Sequence, residues 1–78
     1  MYPAVKNVIP EKNYTLLLTF DNGEKKRFDM KPYLNRGIFK ELNDISKFNA
    51  VRVSFDSIEW ENEADIDPEV LFTNSEKI

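Results

Sequence analysis

The sequence predicts an α+β domain: a small antiparallel sheet of four or five strands, built from two β-hairpins, with short helices packed on one face. Two observations predict this fold. Apolar and polar residues alternate with a period of two on both sides of a turn, first around residues 21–24 and again within residues 51–60. Short segments between and after the hairpins carry apolar residues at helical spacing. With 78 residues, of which 41% are apolar, we expect one domain, residues 1–78, with an ordered core over residues 2–73.

The first half of the chain predicts a strand followed by a hairpin. Residues 4–9 form a modest strand candidate that ends at Pro10. Residues 14–20 form the strongest strand, because its even-numbered residues are apolar or aromatic and share one face. Asn22-Gly23 supplies the turn, since both residues tolerate the positive φ of hairpin turns. Residues 25–30 then return, with the apolar side chains of Phe28 and Met30 toward the core.

The middle of the chain predicts short helical pieces. One turn spans residues 31–34, because proline fits a first helical position. A second piece spans residues 37–42 and places Ile38, Phe39 and Leu42 on a single face. A further turn lies at residues 44–48. These pieces are too short to be stable alone, so packing on the sheet must hold them.

The last third predicts the second hairpin and a capped helix. Five apolar side chains of the hairpin are expected on the core side: Val51, Val53, Phe55, Ile58 and Trp60. Trp60 is two positions after Ile58 and therefore shares its face of the strand, which favours burial of Trp60. An exposed Trp60 would instead be the leading interface anchor. Asp67 is placed to cap a helix that starts at Pro68 and runs through residue 72. We expect residues 74–78 to fray.

The composition limits the possible functions. The chain has neither cysteine nor histidine, so disulfides, thiolate chemistry and the commonest general base are missing. No apolar run approaches the roughly 20 residues of a membrane span, and no secretory signal pattern opens the chain. We therefore expect a cytoplasmic, non-enzymatic domain that uses no cofactor and holds no metal.

The charges are distributed unevenly along the chain. Residues 1–52 carry ten Lys/Arg and six Asp/Glu, whereas residues 53–78 carry one Lys and eight Asp/Glu. Six of these acids occupy every odd position from 59 to 69, and we call them the acidic series: Glu59, Glu61, Glu63, Asp65, Asp67 and Glu69. The acidic series is the candidate partner-binding surface, because complementary charge favours a basic partner. The alternative is a solvated face with a capping role.

Other uses of the acidic series fit the sequence less well. A calcium loop would need a glycine turn and a correctly placed bidentate glutamate, which this segment lacks. In an extended chain, alternation points the carboxylates outward and does not bring them together on one ion. A general acid/base pair would need a pocket that separates the two pKa values, and sequence alone shows no pocket.

The basic residues Lys25-Lys26-Arg27, with Lys31 and Arg36 nearby, form the one basic cluster of the sequence. Lysine on a strand flank commonly guards a sheet edge against pairing, and we prefer that interpretation. The sequence pI of about 4.9 disfavours binding to a phosphate backbone. We therefore expect neither nucleic acid nor membrane as a partner.

Residues 2–73 also resemble the bacterial family called domain of unknown function 2442. The resemblance is carried by Lys31-Pro32-Tyr33-Leu34, Gly37-Ile38-Phe39, Phe48-Asn49, Arg52-Val53-Ser54-Phe55, Ile58-Glu59-Trp60, Asn62, Ala64-Asp65-Ile66 and Pro68-Glu69-Val70-Leu71. Members are small cytoplasmic proteins or N-terminal modules, some with a helix-turn-helix domain, often encoded in pairs that look like toxin–antitoxin genes. The resemblance implies a binding module of antitoxin type without accepted catalytic residues. Since no helix-turn-helix follows within these 78 residues, we expect no direct role on DNA.

The leading hypothesis is therefore a protein-binding domain, antitoxin-like, that docks a small basic toxin-like protein through the acidic series. The mechanism would be occlusion, in which apolar anchors supply affinity and carboxylates supply orientation and association rate. One alternative is a homodimeric structural or sensory module that self-associates through an open sheet edge. Another is a domain that binds a small ligand or a metal.

Overall fold

A computed structural model describes residues 2–78, and within them seven strands form two antiparallel sheets. The first sheet, here the large sheet, has the order β1–β2–β3–β7, with β1 Val5–Glu11, β2 Thr15–Phe20, β3 Lys25–Asp29 and β7 Glu76–Lys77. The second, the small sheet, has the order β4–β5–β6, with β4 Arg52–Ser54, β5 Ser57–Glu59 and β6 Asp65–Ile66. The predicted α+β class is confirmed, and so are both predicted hairpins, which belong to different sheets.

The hairpin β2–β3 follows the predicted alternation. Leu16 lies opposite Phe28 and Leu18 opposite Lys26, and all four side chains face the interior. The connecting loop closes with Gly23 at a φ of 89°, and the amide of Phe20 donates to the carbonyl of Glu24 at 2.8 Å. Asn22-Gly23 therefore forms the turn that the sequence indicates.

Strand β1 is longer than the sequence predicts, because it continues through Pro10 to Glu11. Proline removes a backbone donor, which an edge strand tolerates on its outer side. β1 is such an edge, and its pairing with β2 also shifts register between Val5 and Asn7. The edge that the sheet exposes is therefore interrupted by both a proline and a bulge.

The helical segments are short, as predicted. The α-helices are α1 Ile45–Phe48 and α2 Pro68–Asn74, and 3₁₀ helices span Lys12–Tyr14, Lys31–Tyr33 and Gly37–Asn43. The predicted cap is confirmed, because the Asp67 carboxylate accepts from the amide of Glu69 at 2.8 Å. Asp44 caps α1 in the same way through the amide of Ser46. No helix among residues 2–78 has the length and apolar character needed to cross a membrane.

One core forms between the helices and the strands. Its fully buried large side chains are Trp60, Phe20, Phe28, Phe48, Leu16, Leu18, Met30, Leu42, Ile58 and Leu71. The predicted burial of Trp60 is confirmed, and its indole Nε1 donates to the carbonyl of Phe48 at 2.9 Å. The hydrogen bond satisfies the polar tip that a buried tryptophan brings into a core.

Three apolar side chains that we expected in the core are on the surface. Val53 is 39% exposed, because β4 is an edge strand of the small sheet. Ile38 is 44% exposed, because its segment is a 3₁₀ helix with three residues per turn. That period aligns Phe39 with Leu42 and turns Ile38 away from them. Phe55 is 94% exposed, because it lies in the turn between β4 and β5. The alternation of inward and outward side chains holds within the strands and does not continue through this turn.

The end of the chain also differs from the expectation that residues 74–78 fray. Glu76 pairs with Arg27, Lys77 pairs with Lys26, and the amide of Ile78 donates to the carbonyl of Lys25 at 3.3 Å. Strand β3 is therefore an interior strand of the large sheet. The interpretation of its lysines as guards of an open edge is wrong, since β7 covers that edge.

Candidate functional site

The most unusual surface feature is the two-residue turn between β4 and β5. Ser54 pairs with Ser57, and the two residues between them, Phe55 and Asp56, have φ values of 46° and 68°. Positive φ at both central positions is the requirement of a type I′ turn, for which Asn-Gly is the usual sequence. A left-handed conformation costs a residue with a side chain about 1–2 kcal/mol, and phenylalanine is an uncommon choice there.

The turn is held in place from two sides. Its ends are fixed by the β4–β5 ladder, and the carbonyl of Asp56 accepts from the amide of Val5 at 3.0 Å. This bond joins the small sheet to the first strand of the large sheet. Phe55 is therefore presented to solvent by a backbone with little freedom, which lowers the entropic cost of placing its ring against a partner.

Two carboxylates lie on the small sheet, at the end of β5 away from the Phe55 turn. Glu59 of β5 is directly opposite Asp65 of β6, so the two side chains share one face of the small sheet. Like charges in opposite positions destabilise a sheet, and here Arg52 offsets part of the repulsion through an ion pair of 3.2 Å with Glu59. Phe55, Glu59 and Asp65, together with Pro68, line one shallow cavity of about 100 Å³. We call these four residues the docking surface.

The strands beneath the docking surface are locked in register. The Ser57 hydroxyl is buried and donates to the carbonyl of Ile66 at 2.6 Å, which joins β5 to β6. Ile58 lies opposite Ile66 on the core side of the same ladder. The spacing of Glu59 and Asp65 is therefore set by a buried scaffold and not by the carboxylates themselves.

The remaining acids of the acidic series lie elsewhere, because the chain reverses direction after β5. The amide of Trp60 donates to the carbonyl of Ala64 at 2.9 Å, and Glu63 has a φ of 71°, so Glu61 and Glu63 lie on a turn. Asp67 caps α2. The extended row that we expected from the alternation does not form, and only Glu59 and Asp65 are brought opposite each other.

The acids do not gather as a metal centre would require. Across residues 2–78, no three acidic side chains form a group that could hold a metal ion. The turn at residues 61–63 accounts for this dispersal, because it separates the middle of the series from the pair on β5 and β6.

The basic cluster of the sequence also disperses in three dimensions. Lys26 faces the interior, where its Nζ donates to the carbonyl of Phe72 at 2.7 Å. Arg27 faces outward and forms an ion pair of 2.7 Å with Glu11, which holds the pKa of the Glu11 carboxyl below its ordinary value. Neighbouring side chains of β3 thus point to opposite sides of the sheet, as the pleat requires.

Sequence reasoning expected the acids on the surface, where they lie, but expected Phe55 in the core, whereas it is 94% exposed. The available signal was Phe55-Asp56 at the position where Asn-Gly is expected in a two-residue hairpin loop. A large apolar residue where backbone geometry disfavours it points to a role in solvent-exposed contact.

One family model matches almost the whole length of the chain. The sequence model of a family described as "Protein of unknown function (DUF2442)" matches residues 5–77. No curated protein and no solved structure matches the chain.

Proposed function

The chain belongs to the DUF2442 family, whose description supplies no function, and we propose from its geometry that it is a protein-binding domain. It docks a basic partner on the docking surface, with Phe55 as the apolar anchor and Glu59 and Asp65 as charge contacts. The observation that carries the proposal is the exposure of Phe55, at 94%, on a left-handed turn that lines one shallow cavity together with two opposed carboxylates.

The affinity of such a site would come chiefly from the aromatic side chain. Hot spots of protein interfaces are few, central and often aromatic, and a phenylalanine that is already exposed and held rigid loses little entropy on binding. Val53, which is 39% exposed on the adjoining strand, extends the apolar area. An exposed apolar area rimmed by charge is typical of an interaction site.

The carboxylates would select the partner. Arg52 offsets the charge of Glu59, whereas Asp65 forms no ion pair among residues 2–78. A lysine or arginine of the partner would therefore relieve the repulsion between Glu59 and Asp65 that the ladder imposes. Complementary charges also raise the association rate and reject acidic competitors.

An antitoxin role is the specific form of this proposal. The partner would be a small basic toxin-like protein, and docking would occlude the surface with which that protein acts. A basic segment with an apolar side chain next to a lysine or arginine has the chemistry that the docking surface would recognise.

Self-association through the edge of β1 has less support. Pro10 removes a donor from that edge, a bulge interrupts its pairing pattern, and the amide of Val5 is already bonded to Asp56. These features are the ones by which proteins prevent edge-to-edge pairing.

The experiment is a comparison of tagged baits in a lysate of the source cells, followed by reconstitution. We expect wild-type protein to retain one small basic protein that Phe55→Asn fails to retain, because asparagine fits the turn but removes the anchor. With the purified partner, we expect Glu59→Gln combined with Asp65→Asn to slow association at least about tenfold at low salt, and the difference to shrink as salt rises.

The matched control is Glu63→Gln combined with Glu69→Gln, which removes the same charge from acids outside the docking surface. Its association rate should stay close to that of wild type. If the Phe55→Asn bait retains the same partner with equal affinity, the docking surface is not the binding site.

A further inference from the structure

We propose that Asn22 is a site of spontaneous covalent modification, at which deamidation converts asparagine to isoaspartate, and that the native hairpin loop protects it. Asn22-Gly23 is the one asparagine–glycine pair among the 78 residues of the chain. Asn22 is exposed in the turn between β2 and β3. Because glycine has no side chain to shield its backbone nitrogen, this pair is the one most open to attack of that nitrogen on the asparagine side chain.

The reaction needs only the loop itself and water. The backbone nitrogen of Gly23 loses its proton to a base in the solvent and forms a bond to Cγ of Asn22, while Nδ2 takes up a proton and leaves as ammonia. Water then opens the resulting succinimide ring at one of its two carbonyl carbons. Opening at the backbone carbonyl of residue 22 gives isoaspartate, and opening at Cγ gives aspartate.

Each reacting group is engaged in a hydrogen bond of the native loop. The amide of Gly23, which is the nucleophile, donates to the carbonyl of Phe20 at 2.9 Å. Nδ2 of Asn22, which is the leaving group, donates to the Glu24 carboxylate at 3.0 Å. Oδ1 of Asn22, on the carbon that is attacked, accepts from the amide of Glu24 at 2.9 Å. The two groups that must meet are therefore held by different partners.

The closed loop is incompatible with the succinimide. In this ring the Gly23 nitrogen carries no hydrogen, so its bond to Phe20 is lost, and the departure of ammonia removes the donor to Glu24. Both bonds must break for the ring to close, so the reaction proceeds from an opened loop. Opening is rare in a turn whose flanking strands are paired, and the native domain therefore slows the reaction.

Neither product restores the loop. Isoaspartate carries the main chain through Cβ and lengthens it by one carbon, which disturbs the bond of 2.8 Å from the amide of Phe20 to the carbonyl of Glu24. Aspartate places a carboxylate oxygen against Glu24 where the native loop has an N–H donor. Lys77, whose Nζ lies 3.8 Å from the other oxygen of Glu24, offsets only part of that repulsion. The modification thus marks chains in which the β2–β3 turn has opened.

The test follows residue 22 of the intact chain by peptide mapping and mass spectrometry, in native buffer and in guanidinium chloride at one pH and temperature. Isoaspartate should form at least about tenfold faster in the denatured chain, because the population of the opened loop limits the native rate. Equal rates in the two solvents, or no isoaspartate at residue 22 of the denatured chain, would overturn the proposal.

Asn35 is the internal control in the same samples. It is exposed like Asn22 but precedes Arg36, whose side chain shields the attacking nitrogen. Asn35 should therefore react more slowly than Asn22 in the denatured chain. If the two react equally fast there, the glycine after Asn22 gives that position no special reactivity, and the assignment of the site is wrong.

Variants test the contact between Asn22 and Glu24. Glu24→Ala removes the acceptor of Nδ2 and should raise the native rate at least about threefold, which is the effect of losing one hydrogen bond, with little change in the denatured chain. Lys77→Ala is the matched control, because it removes the ion pair of Glu24 and keeps the contact with Asn22. It should react as wild type does. A native rate in Glu24→Ala equal to that of wild type would show that Glu24 does not protect Asn22.

This inference is independent of the proposed docking function. Phe55 lies in the turn of the small sheet, whereas Asn22 lies in a turn of the large sheet. Phe55→Asn should therefore abolish docking and leave the native rate at residue 22 unchanged.

Discussion

Single residues account for the difference between Trp60 and Phe55, which the same alternation pattern placed together in the core. Trp60 follows strand β5, and its side chain keeps the parity of Ile58. Phe55 belongs to a two-residue turn, and residues in such a turn leave the pleat on which parity depends. The alternation of apolar and polar residues is therefore informative within a strand but not across its turn, and it could not indicate that Phe55 is exposed.

The backbone of the Phe55 turn leads to a prediction about stability. Replacing Phe55-Asp56 by Asn-Gly, through Phe55→Asn and Asp56→Gly, should raise the free energy of unfolding by about 1–2 kcal/mol, because Asn and Gly adopt positive φ at less cost. Urea denaturation followed by circular dichroism measures this. Docking should be lost in the same variant, so that stability and binding change in opposite directions.

Ile38→Asn is a control for the loss of an exposed apolar side chain outside this turn, and its effect should lie within about 0.5 kcal/mol. If the Asn-Gly variant is less stable than wild type, the positive φ of Phe55 is not a source of strain.

The structural elements that the sequence predicted correctly are those determined by residues close together in the chain. The cap at Asp67 and the loop at Gly23 follow from residues within a few positions of each other, and the structure has both. We expected α-helical spacing over residues 37–42, whereas the structure has a 3₁₀ helix over Gly37–Asn43, and its period changes which side chain is exposed. Seven residues of helical sequence do not decide between the two periods, because packing on the sheet selects the one that forms.

Lys26 joins two elements, and its removal should weaken that junction. Its Nζ donates to the carbonyl of Phe72 near the end of α2 and lies 3.8 Å from the centroid of the Phe72 ring, with the side chain buried against the sheet. Lys26→Ala should lower the free energy of unfolding by about 1–3 kcal/mol, since it removes a charged hydrogen bond and the packing of the aliphatic stem. Chemical denaturation gives the value.

The adjacent lysine provides the comparison. Lys25 is exposed on the other face of β3, so Lys25→Ala should change the stability by no more than about 0.5 kcal/mol. Equal losses in both variants would mean that the contact between Lys26 and Phe72 contributes nothing specific.

At the scale of the whole molecule, the sequence predicted the class and the hairpins but not how the strands divide between sheets. Each hairpin is specified by neighbouring residues. The pairing of β7 with β3 joins segments about 50 residues apart, and two residues without alternation carry no signal for it. The charge asymmetry between the two halves likewise became interpretable only once the small sheet placed Glu59 opposite Asp65.

Deleting residues 76–78 should affect the whole domain. The loss of the β7 ladder should lower the free energy of unfolding by about 1–2 kcal/mol, because a few backbone hydrogen bonds are removed. The uncovered edge of β3 should also allow self-association, visible as a rise in mass with concentration in sedimentation experiments.

The control keeps the strand and changes its charges: Glu76→Thr combined with Lys77→Thr should remain monomeric to the same degree as wild type. If the chain without residues 76–78 has the same free energy of unfolding and the same mass in solution as wild type, β7 is not needed to complete the large sheet.

The β7–β3 pairing also determines the order in which the domain assembles. Strands β2 and β3 meet across a loop of a few residues, whereas β7 must find β3 across about 50 residues, which is the slower closure. Lys26 contacts Phe72 in the helix just before β7, so the two contacts form together. We therefore expect refolding to end with a single late event, in which the edge of β3 is paired and its lysine is covered at the same time.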